Sequence, residues 1–312
     1  VSAVSDLNSA SDVFLHSYDE QYGSQTQALS TSGIYSAFTG NNHSGSGAPR
    51  DVSVSDGGYG NLPYVAFASL ASDLVAGDTN DVTDVFVTSA YGLIRVSQNP
   101  VTGEQGNDHS NSPSISADGR FIAFVSQASN LDGADGNSNP DIYIYDRDAD
   151  RDGIFDNQPP GLQLVSWNFG GGESNGPSYG PSISPDGRYI AFTSQASDLI
   201  PNDGNGVADI FLHDQDADGN GKFGLQNNDF TDRTWNTSIS NTFDYQLGNG
   251  DSDWASVSAG GKFVTFHTLA DNLVPGDENG VEDVYAYYPG DYTLFPLLFT
   301  DQLPLYLPLM VR

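Results

Sequence analysis

The feature of this sequence that most limits its fold is an internal repeat. The segment 112–131 reads SPSISADGRFIAFVSQASNL and returns at 180–199 as GPSISPDGRYIAFTSQASDL. Weaker copies occupy 50–74 and 254–273. Self-similarity at a long period is typical of arrays in which each unit buries its core only against its neighbours. The chain is therefore predicted to be a tandem array of similar units.

Each unit has the pattern of four antiparallel strands. A first strand leads through an Asp-Gly turn into a β-branched and aromatic strand, and a polar loop then precedes a strand that opens with Asp. A second polar loop and a short last strand close the unit. The strands that open with Asp begin at Asp12, Asp84, Asp141, Asp209 and Asp283. No segment shows sustained helical periodicity, so the pattern predicts an all-β propeller of four-stranded blades.

The phrase SPDGRYIAFTS at 184–194, followed by DIFL at 209–212, resembles the TolB-type, WD-like β-propeller repeat. The resemblance extends over nearly the whole chain, although only 112–131 and 180–199 match it closely. It implies a propeller fold, and usually a binding or scaffold role rather than a reaction. The first unit and the C-terminus depart from it.

We expect a single propeller of about five blades over 1–300, of which the first is incomplete. The predicted units are a half blade at 1–32 and blades at about 50–98, 112–167, 180–240 and 253–299. The half blade opens at the end of what should be a second strand. Its first two strands are therefore expected to come from elsewhere, either from an upstream segment or from the tail.

The tail at 301–312 is predicted to be an additional apolar strand. Pro304 and Pro308 restrict it to an edge strand or an extended segment that pairs from one side. The side chains predicted to mediate assembly are Leu303, Leu305, Tyr306, Leu307, Leu309 and Val311. Two alternatives stay open: the tail completes the half blade of its own ring, or it augments the half blade of the next molecule and builds a head-to-tail fibre.

The charge of the chain limits its partners. Asp and Glu number 41 against 10 Lys and Arg, for a formal net charge of -31. Such a surface repels phosphate backbones and attracts metal cations, so we expect no nucleic acid as a partner. The sequence has no long charge-free apolar run, so membrane insertion is not expected. The expected partner is a second copy of the chain, or else a surface protein or glycan.

Two loops that follow third strands carry acids at alternate positions before a glycine. They resemble the first half of an EF-hand-type calcium loop, in which short carboxylates converge on one hard cation. The predicted ligands are Asp148, Asp150, Asp152 and Asp156 in one loop and Asp216, Asp218 and Asn220 in the other. The alternative is a pair of solvated acidic turns. Calcium is the predicted cofactor.

A second acidic set recurs in the loop between the second and third strands. The spacing Asp-x-Asn-x-x-x-Asp is the same in four units. Its members are Asp78, Asn80 and Asp84; Asp135, Asn137 and Asp141; Asp203, Asn205 and Asp209; and Asp277, Asn279 and Asp283. Because the motif recurs in each unit, it is predicted to be structural, either as Asx-turns or as bound cations.

The sequence predicts that the chain is not an enzyme. It lacks a nucleophile elbow and a phosphate-binding loop, and His43, His109 and His267 have no metal-ligand spacing. The predicted innermost strands, which surround the axis, contain no acid.

The sequence is compatible with three functions. The preferred one is an extracellular, calcium-stabilised structural protein that self-assembles at a cell surface, because extracellular calcium suits weak modular sites. The second is a cis-closed monomer that binds a glycan or protein. The third is a five-bladed glycoside hydrolase.

Overall fold

The computed structural model describes the following residues: 10–19, 23–31, 40–45, 50–59, 62–90, 92–133, 136–157, 160–221, 223, 233–237, 246–288 and 293–296. These residues form eighteen β-strands and one short 3-10 turn, Ala259–Gly261. In this part of the chain no helix has the length and apolar character needed to cross a membrane.

The strands form one two-stranded ribbon, here called the half blade, and four sheets, here called blades A to D. The half blade contains β1 (Phe14–Asp19) and β2 (Gly23–Ala28). Blade A contains β3 (Val52–Tyr59), β4 (Leu62–Ser69), β5 (Asp84–Ser89) and β6 (Gly92–Arg95). Blade B contains β7 (Ser110–Ile115), β8 (Phe121–Ser126), β9 (Asp141–Asp146) and β10 (Gly161–Leu164).

Blades C and D complete the array. Blade C contains β11 (Ser178–Ile183), β12 (Tyr189–Ser194), β13 (Asp209–Asp214) and β14 (Arg233–Asn236). Blade D contains β15 (Ser252–Val257), β16 (Val264–Thr268), β17 (Asp283–Tyr288) and β18 (Thr293–Pro296). Every sheet is an antiparallel meander in chain order, so the predicted all-β propeller fold is confirmed.

The second strands of blades A, B and C lie in the core because both of their faces are largely apolar. In β8 all six residues, Phe121–Ser126, are buried. Its Phe124 stacks on Tyr143 of β9 with ring centroids 5.9 Å apart, and Phe192 stacks on Phe211 in blade C at the same distance. These aromatic pairs lie between blades, and they stabilise each sheet against its neighbours.

The hydrophobic core is a series of layers between consecutive blades. Ile115 of blade B packs with residues of blade A, Ile183 of blade C with blade B, and Val257 of blade D with blade C. A fourth layer joins Val13 and Leu29 of the half blade to blade A. Each blade therefore buries its apolar faces only against its neighbours, as expected for a repeat array.

The first strands of neighbouring blades are joined by a ladder of serine hydroxyls. The Ile115 amide donates to Ser53 Oγ at 3.1 Å, and the Ile183 amide donates to Ser114 Oγ at 3.1 Å. The Val257 amide donates to Ser182 Oγ at 3.2 Å. In every step the acceptor lies on the earlier blade and the donor on the later one, so the ladder has one direction.

The glycines of the Asp-Gly turns in blades B and C contact the preceding blade. Gly187 has a φ of +78°, and a Cβ at this position would lie 2.3 Å from Phe121 Cδ2. Gly119 has a φ of +81° and approaches Tyr64 of blade A in the same way. Glycine is therefore required at each position for two reasons, the positive φ of the turn and the close approach of the neighbouring ring.

Candidate cation sites and the incomplete blade

The loop after β9 brings three of its predicted calcium ligands together. One carboxylate oxygen from each of Asp148, Asp150 and Asp152 lies within 4.8 Å of the other two. The Gly153 amide donates to both Asp148 carboxylate oxygens at 3.2 Å, and Gly153 has a φ of +81°. This is the loop geometry in which short carboxylates converge on a hard cation.

The loop after β13 has the same turn. The Gly221 amide donates to Asp216 Oδ1 at 2.9 Å, and Gly221 has a φ of +74°. The Asn220 side-chain amide donates to Asp218. The carboxylates of Asp216 and Asp218 are thus oriented by a turn of the same kind, and the amide of Asn220 replaces the third acid.

An arginine from the repeat phrase holds each acidic loop at its start. Arg120 donates to both Asp146 carboxylate oxygens at 2.7 and 2.8 Å and to the Asp148 carbonyl at 2.9 Å. Arg188 makes the same three contacts with Asp214 and Asp216 in blade C, at 2.6 to 2.7 Å. Bidentate pairs of this kind fix geometry, so these contacts position the start of both loops.

Asp156 lies in a separate contact. It forms an ion pair with Arg147, whose Nη2 is 2.5 Å from Asp156 Oδ2. The Arg147 guanidinium is fully buried and lies over the Tyr64 ring at 4.2 Å. Asp156 therefore neutralises a buried cation of the core, while the other three acids of its loop form the cluster.

The asparagines of the second set act as clamps. Asn80, Asn205 and Asn279 each donate from Nδ2 to the Asp that opens the third strand, at 3.0, 2.7 and 3.0 Å. Their carbonyl oxygens accept the amides of Val82, Val207 and Val281, which closes an Asx-turn. Asn137 makes the corresponding turn with Asn139. Asp135 lies outside the described residues.

The paired acids of this set are buried together. In blade A, Arg95 Nη1 lies 3.2 Å from Asp78 and 3.7 Å from Asp84. Burial and the charge of Asp84 raise the pKa of Asp78 to about 6 despite this arginine. In blade C, burial and the charge of Asp209 raise the pKa of Asp203 to about 6.

Blades B and D complete the set. Asp141 of blade B is fully buried and accepts from Ser166 Oγ at 2.6 Å. In blade D, the Tyr285 hydroxyl donates to Asp277 at 3.0 Å. The pKa of Asp283 is raised, chiefly by burial. Six acids of the set thus have a hydrogen-bond or ion-pair partner within their own blade, namely Asp78, Asp84, Asp141, Asp209, Asp277 and Asp283.

The half blade corresponds to the third and fourth strands of a complete blade. In blade B, Ser166 Oγ donates to Asp141 and accepts the Ile142 amide at 3.0 Å. In the half blade, Ser30 Oγ donates to Asp12 at 3.0 Å and accepts the Val13 amide at 3.0 Å. The shared geometry makes β1 a third strand and β2 a fourth strand.

Apolar side chains border the place where inner strands of the half blade would lie. Phe14 is 54% exposed, whereas its counterparts in the four blades, Phe86, Tyr143, Phe211 and Tyr285, are at most 2% exposed. Val54 is 52% exposed, whereas its counterparts Ile115, Ile183 and Val257 are at most 8% exposed. In blade D, Ser256 and Phe263 are exposed at positions that contact the next blade elsewhere in the array. The tail residues predicted to mediate assembly, Leu303 to Val311, lie outside the described residues.

Asp253, His267 and Glu282 form a cluster that the sequence analysis did not identify. One ligand atom from each lies within 4.8 Å of the others, on the first strand, the second strand and the residue before the third strand of blade D. The expectation that no innermost strand carries an acid is wrong, because β15 begins at Ser252 and includes Asp253, and β3 includes Asp56. The available signal was a His and two acids at positions that carry neither in blades B and C.

Comparisons with known proteins give structural neighbours only. No protein-family model matches the chain, and no curated protein matches it. The tricorn protease is similar at a TM-score of 0.48 and 12% identity, over 91% of this chain and 24% of that one. TolB from Agrobacterium tumefaciens is similar at a TM-score of 0.44 and 15% identity, over 91% of this chain and 73% of that one. The GH93 α-L-arabinofuranosidase of Fusarium graminearum is similar at a TM-score of 0.42 and 12% identity, over 87% of this chain and 69% of that one.

These neighbours correct the prediction that the chain is not an enzyme. They include a protease and a glycoside hydrolase, and prolyl endopeptidases are similar as well, at 13% identity and a TM-score of 0.40. The prediction also rested on innermost strands without acids, and Asp253 removes that support. A propeller hosts both binding and catalysis, so its fold does not exclude a reaction. The chain spans about a quarter of the tricorn protease, and the TM-scores are below 0.5, so the propeller fold rests on the sheets and their packing.

Proposed function

We propose that this chain is a TolB-type, calcium-stabilised extracellular propeller whose copies join head to tail. In this proposal the tail at 301–312 of one copy supplies an inner strand to the half blade of the next copy. The observation that carries the proposal is the exposure of Phe14, because its four counterparts are all buried. An apolar strand edge of this kind is a site for strand addition.

The surroundings of Phe14 suit an inner strand with apolar side chains. Val54 faces the same place from blade A and is 52% exposed. The tail alternates leucines and is uncharged from Gln302 to Val311. Its prolines are compatible with an innermost strand, because β7 and β11 already contain Pro113 and Pro181.

Strand donation between copies is tested by disulfide formation. The chain has no cysteine, so two introduced cysteines report on one contact. Phe14→Cys and Leu305→Cys are placed in separate chains, which are mixed under mild oxidation. We expect a cross-linked dimer of the two variants. Leu303→Cys and Leu307→Cys, each tested in place of Leu305→Cys, show which register of the tail cross-links best. A matched control carries cysteine at Val101, which is 91% exposed and far from the half blade along the chain.

Two results would reject strand donation between copies. If cross-linking occurs only within chains that carry both cysteines, the tail closes its own ring and the head-to-tail proposal is rejected. Removal of 301–312 provides a second readout. We expect assemblies to dissociate into single propellers, as measured by light scattering and negative-stain microscopy, and assemblies of unchanged size would reject the proposal.

The calcium part of the proposal rests on the two acidic loops. An ion that binds only the folded state stabilises it by about 2.7 kcal/mol at a hundred times its dissociation constant. We expect calcium to raise the melting temperature and Asp150→Asn to remove the part of that increase that the loop after β9 contributes. Asp81→Asn, an exposed acid outside both loops, is the matched control. An equal calcium response in both variants would exclude the loop after β9 as the site.

A second candidate function is ligand binding at the face that carries Trp254. The Trp254 side chain is 45% exposed, and the Arg50 guanidinium lies 5.3 Å from its ring centre. Arg50 also donates to the Gly180 carbonyl at 2.9 Å, so residues of blades A, C and D meet there. A monomer whose Trp254 fluorescence changes on addition of a glycan or protein would favour this candidate, and an unchanged spectrum would count against it.

A further inference from the structure

Blade D carries a His and two acids on adjacent strands at one end of the sheet. Asp253 on β15 is the direct partner of His267 on β16, and Glu282 immediately precedes β17. His267 Nδ1 lies 3.6 Å from Glu282 Oε1, and one ligand atom of each of the three residues lies within 4.8 Å of the others. These separations are short enough for one small cation to contact all three side chains after minor rotamer changes.

The cluster is specific to blade D. At the corresponding positions blade B has Asn111, Val125 and Pro140, and strand pairing places Asn111 opposite Val125. Blade C has Tyr179, Thr193 and Ala208, with Tyr179 opposite Thr193. Neither set contains a His or a carboxylate. These positions differ from blade to blade, so the blade fold requires neither a His nor an acid there, and the presence of all three ligating side chains in blade D indicates a local function.

The contacts within the cluster leave room for an ion. The 3.6 Å separation of His267 and Glu282 is longer than a hydrogen bond, and both side chains are 41 to 50% exposed, so a cation can enter from solvent. The Arg50 guanidinium is directed to Trp254 and to the Gly180 carbonyl.

The ligand set indicates the class of ion. One imidazole and two carboxylates suit zinc and related transition metals, whereas calcium prefers oxygen ligands alone. Three protein ligands would leave a fourth position of a tetrahedral ion open to water or to a ligand. We propose that Asp253, His267 and Glu282 form a binding site for a divalent transition-metal ion such as Zn²⁺.

This site is separate from the acidic loops. It lies at the start of a first strand, the end of a second strand and the start of a third strand, which share one end of an antiparallel sheet. The loops at Asp148 and Asp216 follow the ends of third strands, β9 and β13, and therefore lie at the opposite end of their sheets. The two kinds of site can thus be tested independently.

The test is a titration of the full chain with Zn²⁺ in excess calcium, which occupies any hard-cation sites. We expect one zinc ion per chain by calorimetry. His267→Val copies Val125 and Asp253→Asn copies Asn111, and each is expected to weaken binding by about tenfold or more. His16→Thr, which copies Thr88 at a surface histidine outside the cluster, is the control and should bind as the parent chain does.

Two further readouts keep the result unambiguous. Co²⁺ added in place of Zn²⁺ should give the visible absorption of a nitrogen- and oxygen-ligated ion, and His267→Val should lose it. If His267→Val lowers the melting temperature, zinc binding by Glu282→Ala is measured instead. This variant copies Ala208 and changes a side chain that is half-exposed, so it tests the site with less effect on folding. Zinc binding that is absent in excess calcium, or that is equal in the parent chain and in both His267→Val and Glu282→Ala, would overturn the proposal.

Discussion

Two five-residue phrases that differ in a single residue occur in different environments in this molecule. The half blade reads DVFLH at 12–16, and blade C reads DIFLH at 209–213. Phe14 is 54% exposed and His16 is exposed, whereas Phe211 and His213 are at most 1% exposed. Both phrases form a third strand paired with a fourth strand. The difference shows that burial in this fold comes from the two inner strands, which blade C has and which the described part of the half blade does not.

The largest expected effect compares the two phenylalanines. Phe211→Ala removes a buried ring that stacks on Phe192, and it should reduce the free energy of unfolding by about 3 to 5 kcal/mol. Phe14→Ala should cost less than about 1 kcal/mol in the single propeller, because its ring is already half in water. Urea denaturation of the tail-deleted chain measures both. Equal losses would show that an inner strand covers Phe14 within one chain.

The next effect compares the two histidines. Burial lowers the pKa of His213 to about 4, so the unfolded chain binds a proton that the folded chain does not over the range from about 6.5 to 4. Stability should therefore fall by about 3 kcal/mol as the pH falls through this window. His213→Tyr, which copies the buried Tyr145, should remove this loss, and His16→Tyr should not. Denaturation between pH 7 and 4 measures it. An unchanged pH profile in His213→Tyr would contradict the assignment.

A smaller effect concerns the Asp–Ser hydrogen bond that occurs both in a complete blade and in the half blade. Ser166 and Asp141 are fully buried, so Ser166→Ala should cost about 2 kcal/mol by removing a hydrogen bond to a buried carboxylate. Asp12 is only half-buried, so Ser30→Ala should cost about half as much. Chemical denaturation of the two variants is the measurement. A larger loss for Ser30→Ala would mean that the half blade is held chiefly by this pair.

The smallest expected effect concerns the serine ladder. Ser182→Ala removes the acceptor of the Val257 amide and should cost about 1 kcal/mol. Ser256 is the corresponding residue of blade D and is exposed, so Ser256→Ala should be neutral in the single propeller. If Ser256→Ala is as destabilising as Ser182→Ala in the tail-deleted chain, another first strand already contacts blade D.

The fold was predictable because each blade repeats its local signals. The Asp-Gly turns, the apolar second strands and the strands that open with Asp fix four strands per unit, and the structure has four such sheets. The calcium ligands Asp148, Asp150 and Asp152 could be proposed because they lie within one loop. The cluster of Asp253, His267 and Glu282 could not, because its members are brought together only by strand register. The single-direction ladder was hidden for the same reason, since serines at repeat positions do not reveal which blade supplies the donor.

That direction gives the array two chemically different ends. Blade D presents a hydroxyl acceptor at Ser256, and the half blade lies at the end where the ladder begins with Ser53 as its first acceptor. A polymer of such subunits would be polar, with unlike rates of growth at its two tips. A molecule that caps one tip would stop elongation there and leave the other tip free. Filament length could then be controlled by a substoichiometric terminator, with no change in the subunit itself.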